Sequence, residues 1–235
     1  MTDKKWDVHF FQAEARRLAN AFALSHGHNS CYKVTRWEIL EDNYEGYYLH
    51  HPRVLQAYSC GFQQFQDSEH GEDENLLLLS DPDAIISQAG LNASTTSELE
   101  WTFSVVFSPT WRCPVLYFTT QLIDGRPLTR GEILALLRCA DPKHDTSDSW
   151  EFVSYEEHPI SGIPACFLHP CQTSNMLANI TKSDVNGSTV PGRHLLAWMS
   201  LVLPSIGFAM PPCFFLQLRQ RLHEIEDTYS LPNGV

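Results

Sequence analysis

The chain has 235 residues, 19% charged and 43% hydrophobic, with 16 basic against 28 acidic side chains and a net charge of −12. This is a globular composition, not a disordered or fibrous one, and the length suits one large domain or two small ones. The charge is uneven: no Lys or Arg lies between Arg53 and Arg112, where Asp67, Glu69, Glu72, Asp73, Glu74, Asp81, Asp83, Glu98 and Glu100 contribute −9. A phosphate-binding surface needs clustered basic side chains to displace counterions, so general nucleic-acid binding is excluded.

In chain order, Phe11, Ala15, Leu18 and Phe22 fall on one helical stripe, with Asp3 placed to cap the helix and Gly27 to end it. Residues 32–40 and 44–49, rich in aromatic and branched side chains, predict two strands joined by a turn at 41–43. His50-His51-Pro52 follows and reads as surface loop. Residues 66–97 form an acidic insert of uncertain order, its like-charge run marking a solvated face, a loose loop or a docking surface. Leu99, Trp101, Phe103, Val105 and Phe107 then alternate with Glu100, Thr102, Ser104, Val106 and Ser108, the pattern of a half-buried antiparallel strand. Residues 109–114 turn the chain, and 115–122 return as a second strand. After the break at Asp124-Gly125-Arg126-Pro127, Thr129 and Glu132 form a capping box for a helix to about Cys139. Residues 150–155 predict a further strand. Pro159, Pro164 and Pro170 predict an extended, irregular path. Residues 173–180 read as a short helix and 195–209 as an apolar one. Pro212 suits the first turn of a last helix with Phe215, Leu218, Leu222 and Ile225 on its stripe. Helix, four or five antiparallel strands, then helices make an α+β fold.

Residues 195–210 are the one apolar run that resembles a membrane span, but they fall short of the ~20 residues needed and carry Pro204. The N-terminus reaches charge without an apolar signal core. The seven cysteines are odd in number and scattered, without a C-x-x-C pair, so neither a disulfide framework nor a zinc cage is expected. A reduced, cytoplasmic protein fits best. No Gly-rich phosphate loop follows a strand, and the eleven histidines form no ligand motif, so neither a nucleotide, a metal nor another cofactor is expected.

Cys171 is the candidate catalytic residue. Pro170 fixes the backbone just before it, and Thr173, Ser174 or Asn175 can cap a helix immediately after it. A cysteine at a helix N-terminus meets unsatisfied N–H groups that favour thiolate, the attacking species in nucleophilic catalysis. A packed structural cysteine is the alternative. A Cys–His hydrolase with His158, His169 or His194 as base is another, although the local signatures of that class are missing.

Four motifs in order, Pro114-Val115-Leu116-Tyr117-Phe118 leading to Asp124-Gly125-Arg126-Pro127-Leu128-Thr129, His158-Pro159-Ile160, His169-Pro170-Cys171, and Trp198-Met199-Ser200 with Pro204 and Gly207, resemble the autophagy E2-like conjugating enzymes. The resemblance covers about residues 98–210. It implies one E2-like (ubiquitin-conjugating-enzyme-like) domain over 1–235, carrying the insert at about 66–97, and a thioester relay. Cys171 would receive a ubiquitin-like modifier of the Atg twelve type from an E1-like activating enzyme of the Atg seven type. It would then pass the modifier to a lysine of an acceptor of the Atg five type, with no metal or nucleotide at this site. Gln172-Thr173 favour that branch over its sister. Where ubiquitin E2 enzymes carry His-Pro-Asn, this chain has Ile160, so another group would meet the oxyanion: His169, Tyr117 or Asn175. The sheet is expected to present an edge or face to the acceptor, with 115–122 as the candidate for strand addition. A non-catalytic adaptor with the same fold is the remaining alternative.

Overall fold

A computed structural model describes residues 6–25, 34–42, 46–58, 97–140, 153–171, 173–182 and 190–229. The first helix, α1 (Val8–Ser25), starts where the Asp7 side chain accepts the Phe10 N–H at 2.8 Å. Asp7, not the expected Asp3, therefore sits at its start, and both Asp3 and Gly27 lie outside the described residues. The stripe of Phe11, Ala15, Leu18 and Phe22 is fully buried, as its spacing requires.

Six strands follow: β1 (Glu38–Asp42), β2 (Gly46–Tyr58), β3 (Ser97–Ser108), β4 (Cys113–Leu122), β5 (Val153–Glu157) and β6 (Pro164–Leu168). They form one antiparallel sheet in the order β1-β2-β3-β4-β6-β5. Helix α2 (Arg130–Ala140) leads from β4 towards β5; α3 (Thr173–Lys182), α4 (Arg193–Val202) and α5 (Pro212–Tyr229) come after the sheet. The α+β expectation of an antiparallel sheet with helices at both ends of the chain is borne out, and it is consistent with an E2-like fold.

The alternation of β3 sorts the sheet's two faces. Leu99, Trp101, Phe103 and Val105 enter the main core, where Phe208 stands edge-on to Phe103 at 5.0 Å and to Trp101 at 5.2 Å. Phe22 of α1 meets Phe214 of α5 at 6.1 Å over the same core. On the other face Val106, Val115, Tyr117, Ala165 and Phe167 make a smaller cluster. The capping box is present: Glu132 Oε2 accepts the Thr129 N–H at 2.8 Å and Thr129 Oγ1 accepts the Glu132 N–H at 3.3 Å.

Several expectations need correction. His50 and His51 do not lie in a surface loop: both belong to β2, and His51 is buried with its Nε2 accepting the Arg36 N–H at 3.0 Å. A register shift between His51 and Val54 absorbs Pro52, which cannot donate to the ladder. The proline-rich stretch is not wholly irregular, because 164–168 form β6 with Pro164 at its first position, where no donor is needed. The apolar helix stops at Val202, and Pro204 tightens the next residues into a 3-10 turn (Leu203–Ile206). Finally, β4 lies between β3 and β6, so the sheet edges are β1 and β5 and strand addition at 115–122 has no open edge. The predicted turn at 41–43 is also displaced: Glu41 and Asp42 are the last residues of β1, paired with Tyr47 and Gly46, and Asn43 lies outside the described residues. The insert lies outside them except for Ser97, the first residue of β3.

One tie joins the two ends of the described chain. Glu14 of α1 is wholly buried; its Oε2 accepts the Leu195 N–H in the first turn of α4 at 3.0 Å, and its Oε1 lies 3.3 Å from His194 Nδ1. A helix N-terminus buried in the core needs such a partner for its free N–H groups.

Candidate active site

The site begins where β6 ends. Leu168 is the last residue of the strand, Thr173 the first of α3, and His169, Pro170 and Cys171 cross between them. The Thr173 N–H donates to the Pro170 carbonyl at 2.9 Å, which closes the turn and leaves Pro170 buried but Cys171 exposed. Cys171 thus stands two residues ahead of a helix, as its spacing predicts. Its thiol donates to the His169 carbonyl oxygen at 3.8 Å, and its N–H donates to His169 Nδ1 at 3.2 Å.

The other described cysteines differ in setting. Cys113 of β4 and Cys166 of β6 are buried, and burial pushes each thiol up to about 11, which keeps them protonated near neutral pH. Cys213 is exposed in the first turn of α5. Cys31 and Cys60 lie outside the described residues, and Cys139 is described only as part of the backbone of α2.

Of the three histidines weighed as bases, the turn brings only His169 into hydrogen-bond contact with Cys171, and it faces the amide. His158 is buried where β5 turns towards β6, and its Nδ1 accepts the N–H groups of Ile160 at 3.3 Å and Ser161 at 3.2 Å. Burial first, and then the neighbouring His50, push His158 down to about 4, so it is neutral at physiological pH. Burial also lowers His50, against the opposing pull of Glu38. His194 is engaged with Glu14 in the core.

The oxyanion candidates separate in the same way. Tyr117 is buried and its hydroxyl donates to Glu156 Oε1 at 2.8 Å, while its ring lies 5.0 Å from His158 and 5.4 Å from Phe167. Asn175 is exposed in the first turn of α3. Ile160 packs against the smaller apolar cluster. With Tyr48, His50 and Ser104, Tyr117 and His158 line a cavity of about 170 Å³. Sequence reasoning missed Trp111. This indole is 46% exposed on the β3–β4 turn and stands edge-on to His169 at 5.0 Å. A turn tryptophan 58 residues before its partner carries no periodic signal. Among the described residues no group of three or more His, Cys, Asp or Glu side chains converges to hold a metal ion. No described helix is long and apolar enough to cross a membrane.

Comparison with known proteins places this turn in context. A family model described as "Autophagocytosis associated protein, active-site domain" matches residues 11–212, starting well before the motif resemblance at residue 98. The chain is 29% identical over 121 residues to the ubiquitin-like-conjugating enzyme ATG10 of Homo sapiens, covering 51% of this chain and 54% of that protein. It is 24% identical over 223 residues to the enzyme of the same name from Arabidopsis thaliana, covering 90% of this chain and 95% of the relative. The counterpart from Dictyostelium discoideum is 28% identical over 117 residues, covering 46% and 51%. The chain therefore spans about half the length of the human and Dictyostelium relatives and nearly all of the plant one.

Proposed function

The chain belongs to the family of autophagocytosis-associated proteins with this active-site domain, and from that premise we propose that it is an E2-like transferase working through Cys171. The observation that carries the reading is the turn itself. Of the three cysteines in the matched segment whose side chains are described, Cys171 is exposed and stands ahead of a helix, while Cys113 and Cys166 are buried and held protonated.

The relay runs in two acyl transfers. Cys171 Sγ attacks the thioester carbonyl that joins the C-terminal glycine of a ubiquitin-like modifier of the Atg twelve type to an E1-like enzyme of the Atg seven type. The bond to the E1 sulfur breaks, and that thiol leaves with the proton given up by Cys171. A lysine amine of an acceptor of the Atg five type then attacks the new thioester. The Cys171–carbonyl bond breaks, an isopeptide bond forms, and the lysine proton returns to the sulfur. Neither step is a redox step, and ATP is consumed upstream at the E1. In this reading the whole chain acts as one cytoplasmic E2-like unit, with the acidic segment an insert in it.

Incubation with the E1-like enzyme, ATP and modifier, followed by electrophoresis without reductant, tests the proposal. A reductant-sensitive adduct is expected from the wild type, none from Cys171→Ala, and a reductant-resistant ester from Cys171→Ser. An unchanged adduct in Cys171→Ala overturns the assignment of the nucleophile.

A further inference from the structure

We propose that His169, held by Trp111, is the positioning residue for Cys171; this rests on the reading of Cys171 as the thioester nucleophile. Two bonds converge on one residue. His169 Nδ1 accepts the Cys171 N–H at 3.2 Å, and the His169 carbonyl oxygen accepts the thiol at 3.8 Å. An imidazole nitrogen that accepts an N–H carries no proton, so the neutral ring has its hydrogen on Nε2. The Cys171 amide is committed to this bond, and the direction of the Cα–Cβ bond is set by where the ring stands.

The ring is itself held. It is half-buried, with Trp111 edge-on at 5.0 Å and 73° and Phe167 tilted at 6.4 Å. Trp111 sits on a turn that costs backbone strain: Arg112 has φ 55, a left-handed value for a residue with a Cβ. The turn is tied down by the Arg112 N–H to the Ser108 carbonyl at 2.7 Å and the Trp111 N–H to Ser108 Oγ at 3.3 Å. A strained turn that holds a half-exposed indole against the residue two before the cysteine has a use beyond reversing the chain: it limits how far the His169 ring, and with it Cys171, can swing. Near-attack geometry tolerates little swing.

The side-chain chemistry gives a discriminating test. An asparagine side chain accepts the N–H two residues on, as His169 Nδ1 does here. A glutamine reaches one bond further and loses that geometry. Single-turnover loading from the E1-like enzyme and hydrogen exchange of the Cys171 amide are measured on the full chain, with the thermal midpoint as control. His169→Ala and His169→Gln are expected to load about five- to tenfold more slowly, the worth of one hydrogen bond, and to exchange the amide faster. His169→Asn should stay within about twofold of the wild type in both. Trp111→Ala alone should slow loading about threefold and add nothing in the His169→Ala background, since contacting residues are not additive. Equal behaviour of the Asn and Gln variants, or a Trp111→Ala loss of the same size in both backgrounds, overturns the proposal. Wild-type protein that forms no thioester overturns the conjugating function instead, and the exchange order still decides whether His169 holds Cys171.

Discussion

His158-Pro159 and His169-Pro170 are the same dipeptide eleven residues apart, and they share one side-chain-to-backbone hydrogen bond. In each, Nδ1 of the histidine accepts the N–H two residues ahead, from Ile160 at 3.3 Å and from Cys171 at 3.2 Å. The proline between them removes a donor and fixes φ, which brings the ring and the amide together. The surroundings differ. His158 is 6% exposed, and Tyr117 and Tyr48 pack on it at 5.0 and 6.1 Å, while Ile160 turns into an apolar cluster. His169 is half-buried and Cys171 faces outward. One backbone device thus locks a hairpin in the first place and presents a thiol in the second. The contrast also accounts for the isoleucine two residues after His158: an inward-facing residue there packs against the smaller apolar cluster.

The predictions that break this comparison run from large to small. Cys171→Ala should abolish thioester loading while leaving the unfolding free energy in urea titration within about 0.5 kcal/mol of the wild type, as for an exposed side chain. His158→Ala should do the opposite in urea titration at pH 7. It loses about 2–4 kcal/mol, from the vacated core volume and two orphaned N–H groups, while the loading rate of the folded fraction is kept.

Acid sharpens the difference. His158 titrates at about 4 in the folded chain against an ordinary 6.5, so the unfolded chain binds the extra proton between those values. Its contribution is complete above pH 6.5 and is lost as pH falls towards 4, at about 1.4 kcal/mol per unit and about 3 kcal/mol in all. His50 is shifted the same way. Urea titrations from pH 7 to 4 should show this slope, and His158→Asn should flatten it; an unchanged slope in that variant would remove His158 as its source. The smallest effect expected is that of Ser161→Ala. Its exposed hydroxyl accepts the Ile163 N–H at 3.4 Å, so stability should move by no more than about 0.5 kcal/mol and loading not at all.

Much of this was legible in the residues because it is local or periodic. The alternation of Leu99, Trp101, Phe103 and Val105, the Thr129–Glu132 box and the α1 stripe each depend on neighbours within a few positions. The helix after Cys171 was legible too, from Pro170 and Thr173. Strand β6 was not, because Pro164 reads as a breaker, and a strand packed on both faces shows a continuous apolar run instead of alternation. The burial of His51 escaped notice because it depends on Trp37 and on a register shift that accommodates Pro52. At the site, the residues leave open whether Cys171 is exposed or packed, but its place ahead of a helix could be foreseen. The Trp111–His169 contact could not, since it is made between a turn and a strand end far apart in the chain.

The buried Glu14 has a consequence for how the chain is made. Its partners His194 and Leu195 are 180 and 181 residues downstream, so α1 emerges from the ribosome long before the helix it caps exists. Until then the apolar stripe of α1 lacks its final cover, and closing so long a loop slows the last step of folding. Trp37 and Phe107 can cover Phe22 and Phe11 sooner, but the Glu14 tie waits until residue 195 has been synthesised.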